Sequence, residues 1–326
     1  MKRLDIDFGN GLTKYLRNGQ PVIVPALVAD VIDPAKFASC TVIEVIHSES
    51  GTMRNGSIFI TGDDAKYQAP TKAIRVGSVP RSQGKARYAL HQVMAIVESS
   101  DSYEIVCSVP DPSVHGRAIE AALLGRHRFT KSGQPFEISI EAVTVRPEGY
   151  GAAFEALSTG QAPAGKMTAT LDIGFQTTIV SVFDPRGTEA IDLRIVIEDG
   201  GCMSLYQSIA QHTEVKARFG GGITAAQVET AIRDTVASPF GVMLDGQSID
   251  ALYRRAKDAW LQSIINQAKT TIGGILPDLG AIVAFGGGVA LAPELANLPK
   301  VVMLSDPQTA NVRGLGKIQI ARPIAA

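Results

Sequence analysis

The chain has 326 residues, 45% hydrophobic and 19% charged, with a formal net charge of −1 and a pI near 6.5. That length and apolar content suffice for two domains with large cores and exclude an intrinsically disordered chain. The near-zero charge supplies no basic field to hold nucleic acid directly, and three scattered cysteines, Cys40, Cys107 and Cys202, exclude a disulfide framework and fit a reducing compartment.

In chain order, residues 3–8 read as a buried strand, followed by strands over 13–17 and 21–28 that complete a meander. Val- and Ile-rich strands are predicted over 41–47 and 57–61. Over 82–99, Ala86, Leu90, Val93, Met94 and Val97 recur at three- and four-residue spacing, which predicts a helix. A strand over 103–109 ends at Pro110, and a helix over 113–124 takes Asp111 or Ser113 as its cap. Residues 136–145 alternate as a strand that Pro147 ends, 151–157 form a short helix, and 160–165 a linker. The plan then restarts. Strands are predicted over 167–172, 178–183 and 190–197, and helices over about 201–212, 224–236 and 250–273. A strand over 281–285, a glycine loop, a strand over 300–304 and a helix over about 307–317 close the chain. Each half thus opens on a three-strand meander and continues into alternating helices and strands, an α/β pattern with a mixed sheet in each half. Asp5 and Asp7 interrupt any apolar leader after Met1-Lys2-Arg3, and the apolar stretch around 281–293 is too short to span a bilayer, so a soluble cytoplasmic protein is expected.

The chemistry-bearing motif is a repeated turn. Asp7-Phe8-Gly9-Asn10-Gly11-Leu12-Thr13-Lys14 ends the first strand, and Asp172-Ile173-Gly174-Phe175-Gln176-Thr177-Thr178 ends the strand that opens the second half. Asp-x-Gly followed by the threonine pairs Asp7, not Asp5, with Asp172. A glycine turn lets backbone N–H groups approach phosphate oxygens, Thr13 and Lys14 add a hydroxyl and a cation, and the two carboxylates would hold Mg²⁺ mainly through its waters. One such turn alone is more often an ordinary strand cap; a copy in each half points to a two-sided phosphate clamp. Neither a G-x-x-x-x-G-K-[ST] loop nor a G-x-G-x-x-G fingerprint is present. Gly286, Gly287 and Gly288 follow an apolar strand and suit a backbone lying flat against a base or ribose as readily as a flexible connection, and Gly200-Gly201 has the same character more weakly. Pro147 fixes the backbone before Glu148, whose carboxylate could orient an attacking water, although the residues alone fit a solvated loop glutamate. Arg75, Arg81, Lys85 and Arg87 form a mild basic cluster, read as a solvated face.

These elements in this order resemble the actin-like ATPase superfamily and, within it, the plasmid-segregation ParM/StbA group. Asp7-Phe8-Gly9-Asn10-Gly11 looks like the first phosphate loop, 172–178 like the second, and Phe285-Gly286-Gly287-Gly288 like the adenosine loop. Val145-Arg146-Pro147-Glu148 resembles the stretch with the catalytic glutamate, and 306–316, with its Pro-x-x-Ala-Asn-x-x-Gly pattern, the terminal helix. Gln176 departs from the small residue frequent there, and Ile179-Val180 from the acidic residue that often follows the threonines. The resemblance implies an actin-like two-domain fold with ribonuclease-H-like halves and a nucleotide cleft between them. Domain I would span 1–165, with a small subdomain at about 20–90, domain II 166–305, and a helix within 306–326 would return to domain I. It further implies ATP or GTP with Mg²⁺ and a catalytic set of Glu148, Asp7 and Asp172. Nucleotide-binding residues would be Gly9, Asn10, Gly11, Thr13, Lys14, Gly174, Gln176, Thr177, Thr178, Gly200, Gly201, Gly286, Gly287 and Gly288. The implied function is a head-to-tail filament that segregates plasmid DNA through an adaptor bound to a centromere, with no direct DNA or membrane contact. A small-molecule kinase of the superfamily and a non-hydrolysing scaffold are the alternatives.

Overall fold

In the computed structural model, which describes residues 1–76, 81–235 and 238–319, the chain divides into two units, Met1–Gln161 with Thr309–Ala326, and Ala162–Gln308. The first carries β1 (Lys2–Phe8), β2 (Leu12–Arg17), β3 (Gln20–Pro25), β4 (Leu27–Asp30), β5 (Ile43–Ser48), β6 (Ile58–Thr61), α1 (Gly62–Gln68), β7 (Ile74–Arg75) and α2 (Arg81–Ile96). It continues with β8 (Ser102–Val109), α3 (Pro112–Leu123), β9 (Gly125–Lys131), β10 (Gln134–Pro147) and α4 (Tyr150–Ser158). The second carries β11 (Met167–Ile173), β12 (Thr178–Phe183), β13 (Ile195–Ile197), α5 (Cys202–Gln211), α6 (Thr213–Phe219), α7 (Ala225–Thr235), β14 (Met243–Leu244), β15 (Gln247–Ser248), α8 (Asp250–Ile272), β16 (Leu279–Phe285) and β17 (Val301–Met303). The last helix, α9 (Ala310–Lys317), belongs to the first unit.

The first unit is built on a ten-stranded sheet of order β3-β2-β1-β8-β10-β9-β5-β6-β4-β7. Alternation along its central strands sends side chains to both faces. Ile105 and Cys107 of β8 join a core with Leu90, Met94, Ile119 and Leu123 from α2 and α3, while Val106 packs with Leu315 and Ile318 at α9. The outer strands β4 and β6 and helix α1 enclose a small core of their own, with Leu27, Ala29, Ile60 and Ala65. The second unit has a sheet of order β13-β12-β11-β16-β17, whose core includes Leu171, Leu205, Trp260 and Ile264. The order β3-β2-β1-β8-β10 recurs there, with the same antiparallel and parallel senses.

Several boundaries differ from the sequence reading. The strand expected over 21–28 breaks at Ala26, whose N–H bonds Gly11 and whose carbonyl bonds Val76, so the chain changes partners there. Of 190–197 only 195–197 pairs with β12; 191–193 is a 3₁₀ turn. The helix expected over 82–99 ends at Ile96, and the closing helix starts at Ala310, because Asp306 has φ 46° and the Pro307 carbonyl is bound by Gly286. Strand β9 was unforeseen: it buries only His127 and Phe129 between charged neighbours. Short helices α1 and α6 were also unforeseen, and Val236, the expected end of α7, lies outside the described residues.

Candidate functional site

Asp7 stands at the end of β1, fully inside the first unit. Lys14, its antiparallel neighbour on β2, sets Nζ 2.9 Å from Oδ2, and Ser108, its parallel neighbour on β8, donates to Oδ1 at 3.0 Å. Burial alone would raise this carboxyl; the Lys14 charge and hydrogen bond, the Lys85 charge and the Ser108 hydroxyl together hold it below the usual carboxylate range. Asp5 differs: burial raises its carboxyl despite an ion pair with Arg3. That arginine also donates to the Leu315 and Ile318 carbonyls at the end of α9, so Asp5 serves the helix seam.

Two further groups converge near Asp7. Glu148 follows β10, its N–H bound to the Val109 carbonyl at 2.8 Å, and Gly149 at φ 92° lets the chain turn at once into α4. The Glu148 carboxylate is buried against Lys85 Nζ at 2.6 Å. This corrects both the solvated-loop reading of Glu148 and the solvated-face reading of Lys85; Arg81 lies outside the described side chains.

In the second unit Asp172 ends β11, and the Gly174 N–H closes the turn onto the Thr177 carbonyl at 2.9 Å. Both glycine segments pack on this turn. A Cβ on Gly201 would overlap the Gln176–Thr177 peptide, and one on Gly288 would overlap Ile173. Gly286, at φ 97°, would place a Cβ 2.5 Å from Asp172 Oδ1; Gly287 is open by comparison. The Gly200 carbonyl accepts from the Thr178 hydroxyl at 2.9 Å and from the Trp260 indole at 3.0 Å. The two turns share one register: Phe8 faces Thr13 and Ile173 faces Thr178. Both threonines are fully buried, and the Thr13 hydroxyl donates to Gln92 on α2. Each hydroxyl thus ties its turn to a neighbouring element, Thr13 to α2 and Thr178 to the Gly200 carbonyl.

The residues 6–151 match the family model "Actin like proteins N terminal domain", and 170–297 match "Archaeal actin homologue MreB-like, C-terminal". Among solved structures, Ta0583, an archaeal actin homolog, superposes with a TM-score of 0.79 at 18% identity, covering 97% of this chain and 98% of that one. Its complex with ADP gives 0.74 over the same shares. ParM of a 15-stranded filament from Clostridium botulinum gives 0.72 at 17% identity over 96% and 97%. No curated protein sequence matches. The chain has the actin-like fold.

Within this actin-like fold, the Pro-x-x-Ala-Asn-x-x-Gly segment has a physical purpose that spacing alone did not show. Asn311 on α9 donates to Ser108 Oγ at 2.9 Å, and Ser108 in turn donates to Asp7. Gly314 lets α9 lie directly on Gly151 of α4, where a Cβ would collide with the Gly151 carbonyl. Cys107 and Cys202 lie near the two turns, and burial pushes both thiols up to about 12, so neither is a nucleophile at neutral pH. Among the described residues no group of three or more His, Cys, Asp or Glu could hold a metal ion, and no helix is long and apolar enough to cross a membrane.

Proposed function

We propose that the chain binds and hydrolyses ATP or GTP, and that the nucleotide controls its head-to-tail assembly into a cytoplasmic filament that segregates plasmid DNA through an adaptor protein. The observation that carries this reading is the same aspartate-tipped glycine turn built in both units in one register, on a fold shared with an ADP complex and with a ParM filament. The glycine backbones at Gly9, Asn10 and Gly11 and at Gly174 and Gln176 take the phosphates, with Lys14 as the cation. Thr177 adds its backbone there, while Gly200, Gly201, Gly286, Gly287 and Gly288 flank the base and ribose.

The donor set fits magnesium held through water, because both Asp7 oxygens already accept protein hydrogen bonds. Mg²⁺ would supply charge neutralisation along the phosphates, and Asp7 and Asp172 are the carboxylates that would hold its waters. Glu148 orients the attacking water and accepts its proton. The near-neutral charge leaves DNA contact to the adaptor.

The test is high-speed pelleting with Mg-ATP and with Mg-GTP while phosphate release is followed. Nucleotide-dependent pelleting with turnover is expected. Turnover that requires a small acceptor and leaves the protein in the supernatant would overturn the filament reading, and pelleting without turnover would overturn hydrolysis. Glu148→Gln is expected to keep pelleting and lower the turnover number by about 100-fold or more.

A further inference from the structure

Of the buried polar side chains on helix α2, Lys85 and Gln92 lie two turns apart on one face, and both reach the candidate site. Gln92 accepts the Thr13 hydroxyl, and Lys85 pairs with Glu148 at 2.6 Å. Lys85 and Glu148 are each about nine-tenths buried, and the lysine's charge reaches Asp7 and Cys107 at the tips of β1 and β8. Burying two charges brings a desolvation penalty that their attraction scarcely offsets, and a well-packed apolar pair often stabilises a fold as well or better. Stability alone therefore does not account for the pair. Nor does anchoring of the backbone, since the Glu148 N–H is already held by Val109 on the neighbouring strand.

We infer that Lys85 is a positioning residue for hydrolysis, fixing the orientation of the Glu148 carboxylate at the strand tip through their 2.6 Å contact. The inference rests on the reading of Glu148 as the residue that handles the attacking water. A carboxylate on a single free rotor samples several directions, whereas one tied to a buried ammonium presents its second oxygen along one line. No covalent step is involved. Gln92 plays the companion part for the first turn by holding Thr13.

The experiment is a kinetic cycle in the full chain with Mg-ATP, comparing wild type, Glu148→Gln, Lys85→Gln and the double variant, with thermal melts run in parallel. Lys85→Gln is expected to lower kcat by about 10-fold or more while KM changes less than about threefold. In the Glu148→Gln background the same change is expected to add almost nothing, because both act through one carboxylate. A multiplicative loss in the double variant would overturn the inference. So would a rise in KM with kcat unchanged, which would make Lys85 a phosphate ligand, or a rise in kcat, which would make the pair a lock. Should Lys85→Gln melt too early to assay, Lys85→Arg keeps the test open: recovery of kcat supports positioning, and a folded, inactive Arg variant with unchanged KM overturns a role carried by the cation. If Glu148→Gln leaves kcat intact, it is the underlying reading of Glu148 that fails.

Discussion

The two turns share strand order, register and a buried threonine staple, yet the aspartates at their tips have different neighbours. Asp7 sits between Lys14 and Ser108, whereas the same ladder positions beside Asp172 hold Ile179 and Phe285. One turn is thus an electrostatically clamped carboxylate with a relay behind it through Ser108 to Asn311. The other is shaped by backbone packing, its glycine neighbours pressed where no side chain fits. A duplicated scaffold therefore keeps its turn geometry while the ladder neighbours of its two aspartates differ.

The comparison is broken most severely by Lys14→Met, which leaves Asp7 charged and buried without its cation. Loss of about 3–5 kcal/mol in urea unfolding at pH 7 is expected, most of it recovered in the Lys14→Met, Asp7→Asn double variant. Because the Asp7 carboxyl is held below its unfolded value, its contribution is present above about pH 4 and fades as pH falls through the folded value, so the gap between variant and wild type should close in acid. A gap independent of pH would show that Lys14 acts by packing.

Acid should also separate the units. His91, packed between Phe59 and Tyr88, is pushed by burial down to about 4, and His127 is lowered in the same way; the second unit has only the exposed His212. Between about pH 6.5 and 4 the unfolded chain binds a proton at His91 that the native chain refuses, so stability falls on acidification by on the order of 3 kcal/mol. His91→Leu should flatten that slope in a series of urea melts; an unchanged slope would assign it elsewhere. The mildest change is Asn311→Ala, which removes the end of the relay and should reduce stability by about 1–2 kcal/mol. A larger loss would mean that α9 is held mainly by this one amide.

The turns were legible in the sequence because a turn is local: aspartate, glycine and threonine lie within one short segment, and the repeat fixes their register. The meanders and the long helices were legible through periodicity. What escaped depends on long-range pairing. Lys85 read as part of a solvated face because its partner lies 63 residues away, and Asn311 reaches Ser108 across 203 residues. Thr13 and Thr178 were correctly placed at the turns, yet the inward aim of their hydroxyls depends on Gln92 and Gly200, which only folding brings near. Strand β9 escaped because just two of its side chains are buried, which leaves too little apolar alternation to register.

Trp260 is the chain's only tryptophan, and its indole is bonded to the Gly200 carbonyl, the same oxygen that anchors Thr178. Excited at the red edge of its absorption, where the seven tyrosines hardly absorb, the protein therefore emits from a single indole bonded to the second turn. Any event that shifts the Gly200-Gly201 backbone must alter that hydrogen bond and with it the emission spectrum. The molecule thus carries a built-in optical probe of its second turn, readable without labels.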